Sequence, residues 1–188
     1  MPMTAVDLPI ETDRLLLRPF GVGDLDAYLA YRSREDVARH LLAGPLDKAS
    51  GAAALQKAMA TTRLEHEGDH LDLAMVRRDT GELIGDVLLM YRSIEHGMAE
   101  LGFSVHPDHQ GRGLAREAAQ AMLRVAFEAL GLHRVIGRCD ARNDASATLL
   151  RRLGLRQEAH FVRNERIKGE WTDELVFAML ADEWPDHR

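Results

Sequence analysis

The amino-acid sequence predicts an α/β or α+β fold in which helices pack on both faces of one mixed sheet. Hydrophobic periodicity indicates the order strand, helices, three strands, helix, strand, helix and two strands, and consecutive strands in such an order are typical of a mixed sheet. Residues 98–140 have the pattern strand, glycine loop, helix and strand. Such a βαβ unit normally makes its two strands parallel and places a ligand at their carboxyl ends.

Seven segments have the pattern of strands. In the first, Leu15 and Leu17 share one face, two arginines lie on the other, and Pro19 ends the alternation. The last two strands are predicted to turn at Lys168-Gly169. The predicted strands are residues 12–20, 70–78, 82–94, 98–105, 133–140, 155–167 and 170–180.

Four segments have the spacing or the boundary residues of helices. Residues 23–42 predict one or two short helices with Asp24 as N-cap. A longer helix within residues 44–68 is expected to end near Gly68. Residues 114–131 are amphipathic, with a glycine as C-terminal stop, and residues 143–154 form a short last helix.

Length and composition are those of one ordinary globular domain. The chain has 188 residues, 46% hydrophobic and 29% charged, so we expect a single domain over residues 1–188. A net charge of −6 argues against nucleic acid as the main partner. The single cysteine, Cys139, excludes an internal disulfide, and neither a signal peptide nor a membrane-spanning run is predicted. The expected location is the cytoplasm.

The stretch "VHPDHQGRGLAREA", residues 105–118, carries the main functional signal, and three interpretations compete for it. His106 and His109 have the spacing H-x-x-H, but a lone pair is common by chance and Pro107 disfavours a regular helix there, so no metal site is predicted. Gly111 and Gly113 could alternatively serve only to permit a turn with positive φ.

The third interpretation is a pyrophosphate cradle. Glycines leave backbone N–H groups bare, and a helix starting at Leu114 presents its unpaired N–H groups and positive dipole end to the same anion. Arg112 and Arg116 could add charge-assisted hydrogen bonds. The loop is neither a dinucleotide fingerprint, because Arg116 stands at the third glycine position, nor a Walker loop, because no Gly-Lys-Ser/Thr follows.

In this position the loop resembles the acyl-CoA loop of the GNAT superfamily of N-acetyltransferases. That motif, Gln/Arg-x-x-Gly-x-Gly/Ala between a strand and a helix, here reads "QGRGLA" from Gln110 to Ala115. Three more stretches resemble the RimJ/RimL-like branch, namely "ETDRLLLRPFGVGDLDAY", "NDASATLLRRLGL" and "KGEWTDELVFAMLADEW". The resemblance covers roughly residues 11–184.

The resemblance implies a twisted, mostly antiparallel sheet that is splayed between its fourth and fifth strands, with acetyl-CoA as acyl donor in the opening. Carried over by position, one group of residues contacts the pantetheine arm and the thiol, and another holds the pyrophosphate. The first group is Phe103, Ser104, Val105, Asn143 and Ser146, and the second is Gln110, Gly111, Arg112, Gly113, Leu114, Ala115 and Arg116. Within the second group, the resemblance implies that Gln110 supports the turn.

Direct transfer to an amine then requires a base, an oxyanion donor and a proton for the thiolate. The resemblance implies a backbone N–H around Val105 as the donor. Glu100 is the first candidate for the base, since period two places it on one face of its strand with Gly102 and Ser104. An ordinary salt bridge is an equal alternative for this glutamate. His106 and Asp140 are the other candidate bases, although a strand-end cap is the favoured role of His106.

The candidate acid is Ser146. Many members of the superfamily carry a tyrosine on the helix after the fifth strand, and Leu150 stands at that position here. Ser146 could instead cap the helix, as could Asp144, and Asn143 could be only a turn residue.

Three further residues are assigned no chemistry. Cys139 is expected to be a buried, inert thiol, because direct transfer needs no covalent nucleophile. Trp171 and Trp184 are expected to pack rather than to bind substrate.

The sequence therefore predicts an acyl-CoA-dependent N-acyltransferase, with acetyl transfer to a primary amine of a protein N-terminus or a small molecule. The alternatives are a non-catalytic acyl-CoA sensor and a nucleotide-binding enzyme of other chemistry. No acceptor motif is recognisable in residues 21–68 or at the Lys168-Gly169 turn, which should border the acceptor site. Neither a metal nor a membrane is expected as partner, and a homodimer is an open alternative to a monomer.

Overall fold

A computed structural model describes residues 6–61 and 63–187, and the start of the N-terminal stretch without signal-peptide character lies outside them. Eight strands form one sheet in the order β1-β2-β3-β4-β5-β6-β8-β7. The strands are β1 (Ile10–Glu11), β2 (Leu15–Pro19), β3 (His70–Arg77), β4 (Leu83–Ser93), β5 (Met98–Val105), β6 (Arg134–Asp140), β7 (Arg156–Ile167) and β8 (Glu170–Leu180). The helices are α1 (Leu25–Arg32), α2 (Glu35–Ala38), α3 (Lys48–Ala60), α4 (Leu114–Arg124) and α5 (Asp144–Arg152).

The mixed sheet with helices on its faces confirms the predicted fold class. All seven predicted strands are present, and the two-residue β1 precedes them. Neighbouring strands are antiparallel except β5 and β6, which are parallel as the βαβ pattern predicts. Within the described part of the chain, no helix is long and apolar enough to cross a membrane.

The sheet opens between β5 and β6, the fourth and fifth of the predicted strands. These two strands pair only from Met98 to Glu100 and from Arg134 to Ile136, although both continue beyond these residues. We call the gap between residues 101–105 and 137–140 the wedge. It lies at the carboxyl ends of two parallel strands, where α/β folds bind their ligands.

The two faces of the sheet differ in character. The α4 face is a continuous apolar core that α4 and α5 cover, with Leu101, Val105 and Val135 among its buried strand residues. A smaller core, with Tyr28 and Tyr31, lies under α1 and α3 on the opposite face, which we call the α1 face. Apolar burial on both faces stabilises the sheet by about 25 cal/mol per Å² of surface removed from water.

One predicted helix boundary is confirmed and another is wrong. Asp24 is the N-cap residue of α1, as predicted, but its side chain does not bond the helix, because its carboxylate accepts the Gly21 N–H and two hydrogen bonds from Arg18. Helix α3 ends at Ala60 rather than near Gly68, since Thr61 is already extended. Thereafter the Asp69 carboxylate accepts backbone N–H groups of the preceding loop, and such side-chain bonds compete with helix formation.

The two tryptophans have opposite environments. Trp184 is 2% exposed and stacks at a tilt against Phe127, so the packing prediction is confirmed for this residue. The same prediction is wrong for Trp171, which is 62% exposed. The physical reason is the length of the β7–β8 hairpin: β6 pairs with β8 only as far as Glu174, so the tip of the hairpin extends beyond the sheet.

Candidate active site

The glycine loop is fastened to the strand before it. His106 follows β5 and caps one turn of 3₁₀-helix, Pro107–His109, in which proline occupies a first-turn position that needs no N–H donor. Gln110 then donates from Nε2 to the carbonyl of Val105 at 2.9 Å. The loop therefore turns back on the end of β5, and the support of the turn that the resemblance assigns to Gln110 has a physical basis.

The two loop glycines adopt a backbone conformation that other residues avoid. Gly111 has φ 72° and Gly113 has φ 77°, and a Cβ on Gly111 would meet no atom within 4 Å. Gly113 is the N-cap of α4 and has no side chain to bond the first-turn N–H groups. Helix geometry leaves these N–H groups without intrahelical partners, so the site offers bare donors and open space to an anion.

A carboxylate in the first turn of α4, Glu117, would repel such an anion, but residues just before β2 neutralise its charge. Glu117 accepts hydrogen bonds from the hydroxyl of Thr12 and from both the backbone N–H and Nε of Arg14. Burial raises the pKa of Glu117, yet these hydrogen bonds outweigh burial and hold the pKa below its ordinary value. Arg14 also donates to the carbonyl of Arg112 at 2.9 Å. The Arg112 and Arg116 side chains are exposed beside the loop.

The two histidines of the loop serve its structure. His106 Nδ1 accepts the Asp108 N–H at 3.2 Å, which is the strand-end cap expected for it. His109 is buried, and its Nε2 lies 3.2 Å from Glu82 Oε1 on the neighbouring hairpin. No group of three or more His, Cys, Asp or Glu residues in the described ranges could hold a metal ion.

On the α1 face, one wall of the wedge is supported by a buried polar cluster that the sequence analysis missed. Arg32 donates to the hydroxyl of Ser104 at 2.9 Å. Asp86 lies directly across from Ser104 in β4, and Tyr31 donates to its Oδ1 at 2.6 Å. Burial raises the pKa of Asp86 despite these partners. The signal in the sequence was a lone aspartate within residues 83–91 of β4, which carry no other charged side chain.

Asp72 belongs to the same cluster and is less well satisfied. Its Oδ1 is fully buried and has no hydrogen-bond partner among the described residues. Burial, together with the nearby charge of Asp86, raises the pKa of Asp72 well above its ordinary value. A buried carboxylate without full compensation is destabilising, so this group costs the fold stability.

Glu100 lies at the vertex of the wedge, as the last residue of β5 that pairs with β6. Its Oε2 accepts hydrogen bonds from Nε and Nη2 of Arg92, the former at 2.7 Å. The salt bridge that the sequence left as an alternative is therefore formed. Its side chain is 17% exposed.

The beginning of α5 forms the other side of the wedge opening. Asn143 is the N-cap of this helix, since its Oδ1 accepts the Ser146 N–H at 3.1 Å. The alternatives in which Ser146 or Asp144 caps the helix are wrong. Leu150, at the position of the absent tyrosine, is buried, and a Cβ on Gly137 would come within 2.5 Å of its Cδ2.

Asp140 ends β6 and is held by cationic groups. It accepts hydrogen bonds from the backbone N–H, Nε and Nη2 of Arg142, and Nδ1 of His40 lies 3.7 Å from its Oδ2. Burial raises the pKa of Asp140, but the hydrogen bonds and charges of Arg142 and His40 hold it below its ordinary value. Asp140 is therefore a permanent carboxylate at neutral pH. No pattern in the sequence points to His40, which lies 100 residues from its partner.

Cys139 precedes Asp140 and is half-buried. Burial raises the pKa of its thiol to about 11. A thiol with such a pKa is protonated at neutral pH and is a poor nucleophile. This agrees with the expectation that it is inert.

Comparisons with known proteins agree with this geometry. Residues 14–156 match the acetyltransferase (GNAT) domain family. The uncharacterized N-acetyltransferase YnaD of Bacillus subtilis is 31% identical over 176 residues, which are 93% of this chain and 98% of that protein. The [ribosomal protein uS5]-alanine N-acetyltransferase of Escherichia coli is 32% identical over 88 residues, 47% of this chain and 45% of its own length.

A solved structure gives the same result. The crystal structure of a GNAT-family acetyltransferase from Bacillus anthracis superposes with a TM-score of 0.85 at 28% identity, covering 94% of this chain and all of that chain. The parted strands, the glycine loop and the family match are consistent with one another and confirm the resemblance seen in the sequence. The chain belongs to the GNAT family and is an N-acetyltransferase.

Proposed function

We propose that this protein transfers an acetyl group from acetyl-CoA to a primary amine while both substrates are bound together. The observation that carries the proposal is the position of the wedge. Its open end lies at the uncapped N-terminus of α4, so an extended thioester could enter the wedge while its pyrophosphate contacts the loop.

The chain offers a suitable group for each part of the donor. The backbone of residues 111–115 would hold the pyrophosphate, with Arg112 and Arg116 beside it. The backbone of residues 103–105 has no β6 partner and would pair with the pantetheine arm as an added strand would. Asn143 and Ser146 would lie close to the thiol end. When bound, acetyl-CoA supplies a carbonyl carbon that an amine can attack.

The reaction forms a C–N bond and breaks a C–S bond. The chain must therefore help to move two protons and must stabilise one developing negative charge. A backbone N–H around Val105 would stabilise the carbonyl oxygen, and the Ser146 hydroxyl would hydrogen-bond the departing sulfur. The acceptor must lose a proton because only a neutral amine attacks. Glu100 is the base that the sequence proposes, although Arg92 already occupies one of its oxygens.

The acceptor is proposed only as a primary amine. The E. coli relative modifies the alanine of a ribosomal protein, which favours a protein N-terminus, but that match spans less than half of either chain. A small-molecule amine is the second candidate. A single functional domain over residues 1–188, a cytoplasmic location and a homodimer also stay predictions.

An acceptor screen tests the proposal. Release of free CoA thiol from acetyl-CoA and succinyl-CoA would be measured with an alanine-starting peptide, spermidine, free amino acids and an aminoglycoside. Amine-dependent release with acetyl-CoA is the expected result. Tight acetyl-CoA binding without release with any amine would instead identify a non-catalytic sensor.

Thermal unfolding separates the donor from other nucleotides. A ligand at a hundred times its Kd stabilises a protein by about 2.7 kcal/mol. Acetyl-CoA should therefore raise the Tm, whereas equal concentrations of NAD or ATP should not. A larger shift with NAD or ATP would contradict the proposed donor.

A further inference from the structure

We infer that His40, oriented by Asp140, is the group that accepts the proton of the acceptor amine. The inference rests on the proposed function and moves the role of the base from Glu100 to a residue on the other side of the wedge. Three observations support it. His40 lies beside the wedge on the α1 face, Asp140 next to it is ionised, and the other candidate bases already accept hydrogen bonds.

The segment that contains His40 spans the wedge on the α1 face. At its start, Arg32 bonds Ser104 on β5, one wall of the wedge. At its end, His40 contacts Asp140 at the end of β6, the other wall. His40 therefore lies over the opening through which an acceptor on the α1 face would reach the thioester.

The two side chains form an imidazole–carboxylate pair with a fixed division of roles. The His40 side chain is 22% exposed, whereas the Asp140 side chain is 0% exposed. Nδ1 of His40 is buried and lacks a hydrogen bond among the described residues, and it lies 3.7 Å from Asp140 Oδ2. Such contacts are often long in structures without ligands and shorten when substrate binds.

Asp140 is suited to orient the imidazole rather than to act as base. Three N–H groups of Arg142 donate hydrogen bonds to it and keep it ionised. An ionised carboxylate next to Nδ1 favours the tautomer in which Nδ1 carries the hydrogen, and this leaves the Nε2 lone pair free to accept a proton. The resulting imidazolium would be stabilised by the same carboxylate.

The charged surroundings of the pair come from three elements. Asp140 belongs to β6, Arg142 to the loop that follows it, and Glu170 on β8 lies 3.3 Å from Arg142 Nη1. Glu170 partly neutralises Arg142, so the arginine can hold Asp140 without presenting its full charge to the imidazole.

The other candidate bases already accept hydrogen bonds within the protein. Glu100 Oε2 accepts two hydrogen bonds from Arg92, and His106 Nδ1 accepts a backbone N–H. In the proposed step, the ammonium of the acceptor gives its proton to Nε2 of His40. The freed lone pair of the amine nitrogen then forms the C–N bond as the C–S bond breaks. The new amide nitrogen gives up one more proton, which the CoA thiolate takes up directly or through the Ser146 hydroxyl, and His40 releases the first proton to solvent.

The test is the pH profile of kcat/KM with the best amine of the acceptor screen. General base catalysis contributes about 10²–10⁴-fold, so His40→Gln should lower kcat/KM at pH 7 at least about 100-fold. The ascending limb of the profile that belongs to an imidazole should disappear, and the Kd of acetyl-CoA should not change. Asp140→Asn should cause a smaller loss of kcat/KM, because the asparagine side chain orients the imidazole less well than the carboxylate does.

Matched variants separate catalysis from structure. His66 forms a similar pair with Asp69, at 3.5 Å, in the loop before β3, so His66→Gln should leave the profile unchanged. Free imidazole should partly restore His40→Ala. If Glu100→Gln removes the limb while His40→Gln keeps it, the inference is wrong.

The remaining outcomes are also decisive. If both His40→Gln and His40→Ala lose acetyl-CoA binding or unfold, His40 is structural and the inference fails. If the wild-type protein releases no CoA with any amine, the proposed function fails and this inference with it. An active wild type with an unchanged His40→Gln profile would overturn this inference alone.

Discussion

The two sides of the wedge are built in different ways. The side proposed to bind the donor, called the donor side, consists of backbone: a helix N-terminus and two glycines with positive φ, all within a few residues of one another. The α1 side consists of side chains from distant parts of the chain, such as Tyr31 on Asp86 and His40 beside Asp140. A site made of backbone is encoded locally and can be recognised as a motif, whereas a site made of side chains exists only once the sheet has formed.

The largest expected effect concerns the donor side. Gly113→Glu places a carboxylate where the pyrophosphate should lie, so acetyl-CoA binding should weaken at least about 100-fold by like-charge repulsion and lost space. Gly131→Glu is the matched control, because Gly131 has φ 62°, open space around its Cβ and a place at the other end of the same helical segment. Calorimetric titration with acetyl-CoA measures both. Equal binding in the two variants would mean that the cradle lies elsewhere.

Strand β5 forms one wall of the wedge, and the rigidity of that wall can be tested through Gly85, which lies on the neighbouring strand β4. A Cβ there would lie 2.2 Å from the carbonyl oxygen of Ser104, a backbone atom that cannot move aside alone. Overpacking of this kind typically costs about 1–3 kcal/mol, so Gly85→Ala should lower the denaturant midpoint. Gly23→Ala, where no atom lies within 4 Å, should be tolerated. An unchanged denaturant midpoint in Gly85→Ala would show that the backbone of this wall moves aside more easily than the backbone of the glycine loop.

The buried cluster of the α1 side makes a prediction with a pH signature. The folded-state pKa of Asp72 lies well above its ordinary value, so its protonated form is favoured in the fold. Any stability it contributes is present below the unfolded pKa of about 3.9 and is lost as pH rises through the folded-state pKa. Asp72→Asn removes this loss and should stabilise the protein by about 1 kcal/mol at pH 7. Urea unfolding at pH 4 and pH 7 tests this; a gain of equal size at both pH values would refute it.

The smallest effect concerns Asn143, where the structural and functional roles overlap. Asn143→Ala removes the cap of α5 and should cost about 1 kcal/mol. Asn143→Asp keeps a capping oxygen and should retain stability, yet it should weaken acetyl-CoA binding because the amide N–H donors are lost. Thermal unfolding and calorimetric titration separate the two roles. Unchanged binding in Asn143→Asp would leave this residue with the cap alone.

The difference between the two sides also explains what could be predicted from the sequence. The strands and the βαβ unit follow from periodicity, and the loop from two glycines at the start of an amphipathic helix. The Tyr31–Asp86 and His40–Asp140 contacts could not be predicted, because their members are separated by 55 and 100 residues and neither pair has a spacing pattern. The failed helix end near Gly68 has a local cause, since the Asp69 carboxylate bonds backbone groups that a helix would need.

The short pairing between β5 and β6 has a mechanical consequence. Five strands lie on one side of it and three on the other. In the described part of the chain, β5 and β6 pair over Met98–Glu100 and Arg134–Ile136, and the Gly97 carbonyl accepts two more backbone N–H groups just before this pairing. The sheet therefore consists of two parts that are joined by a short pairing, while α4 and α5 connect the two parts through apolar packing. A molecule could enter between the two parts without breaking a hydrogen bond of either one, so binding of the proposed donor there would not require any part of the sheet to unfold.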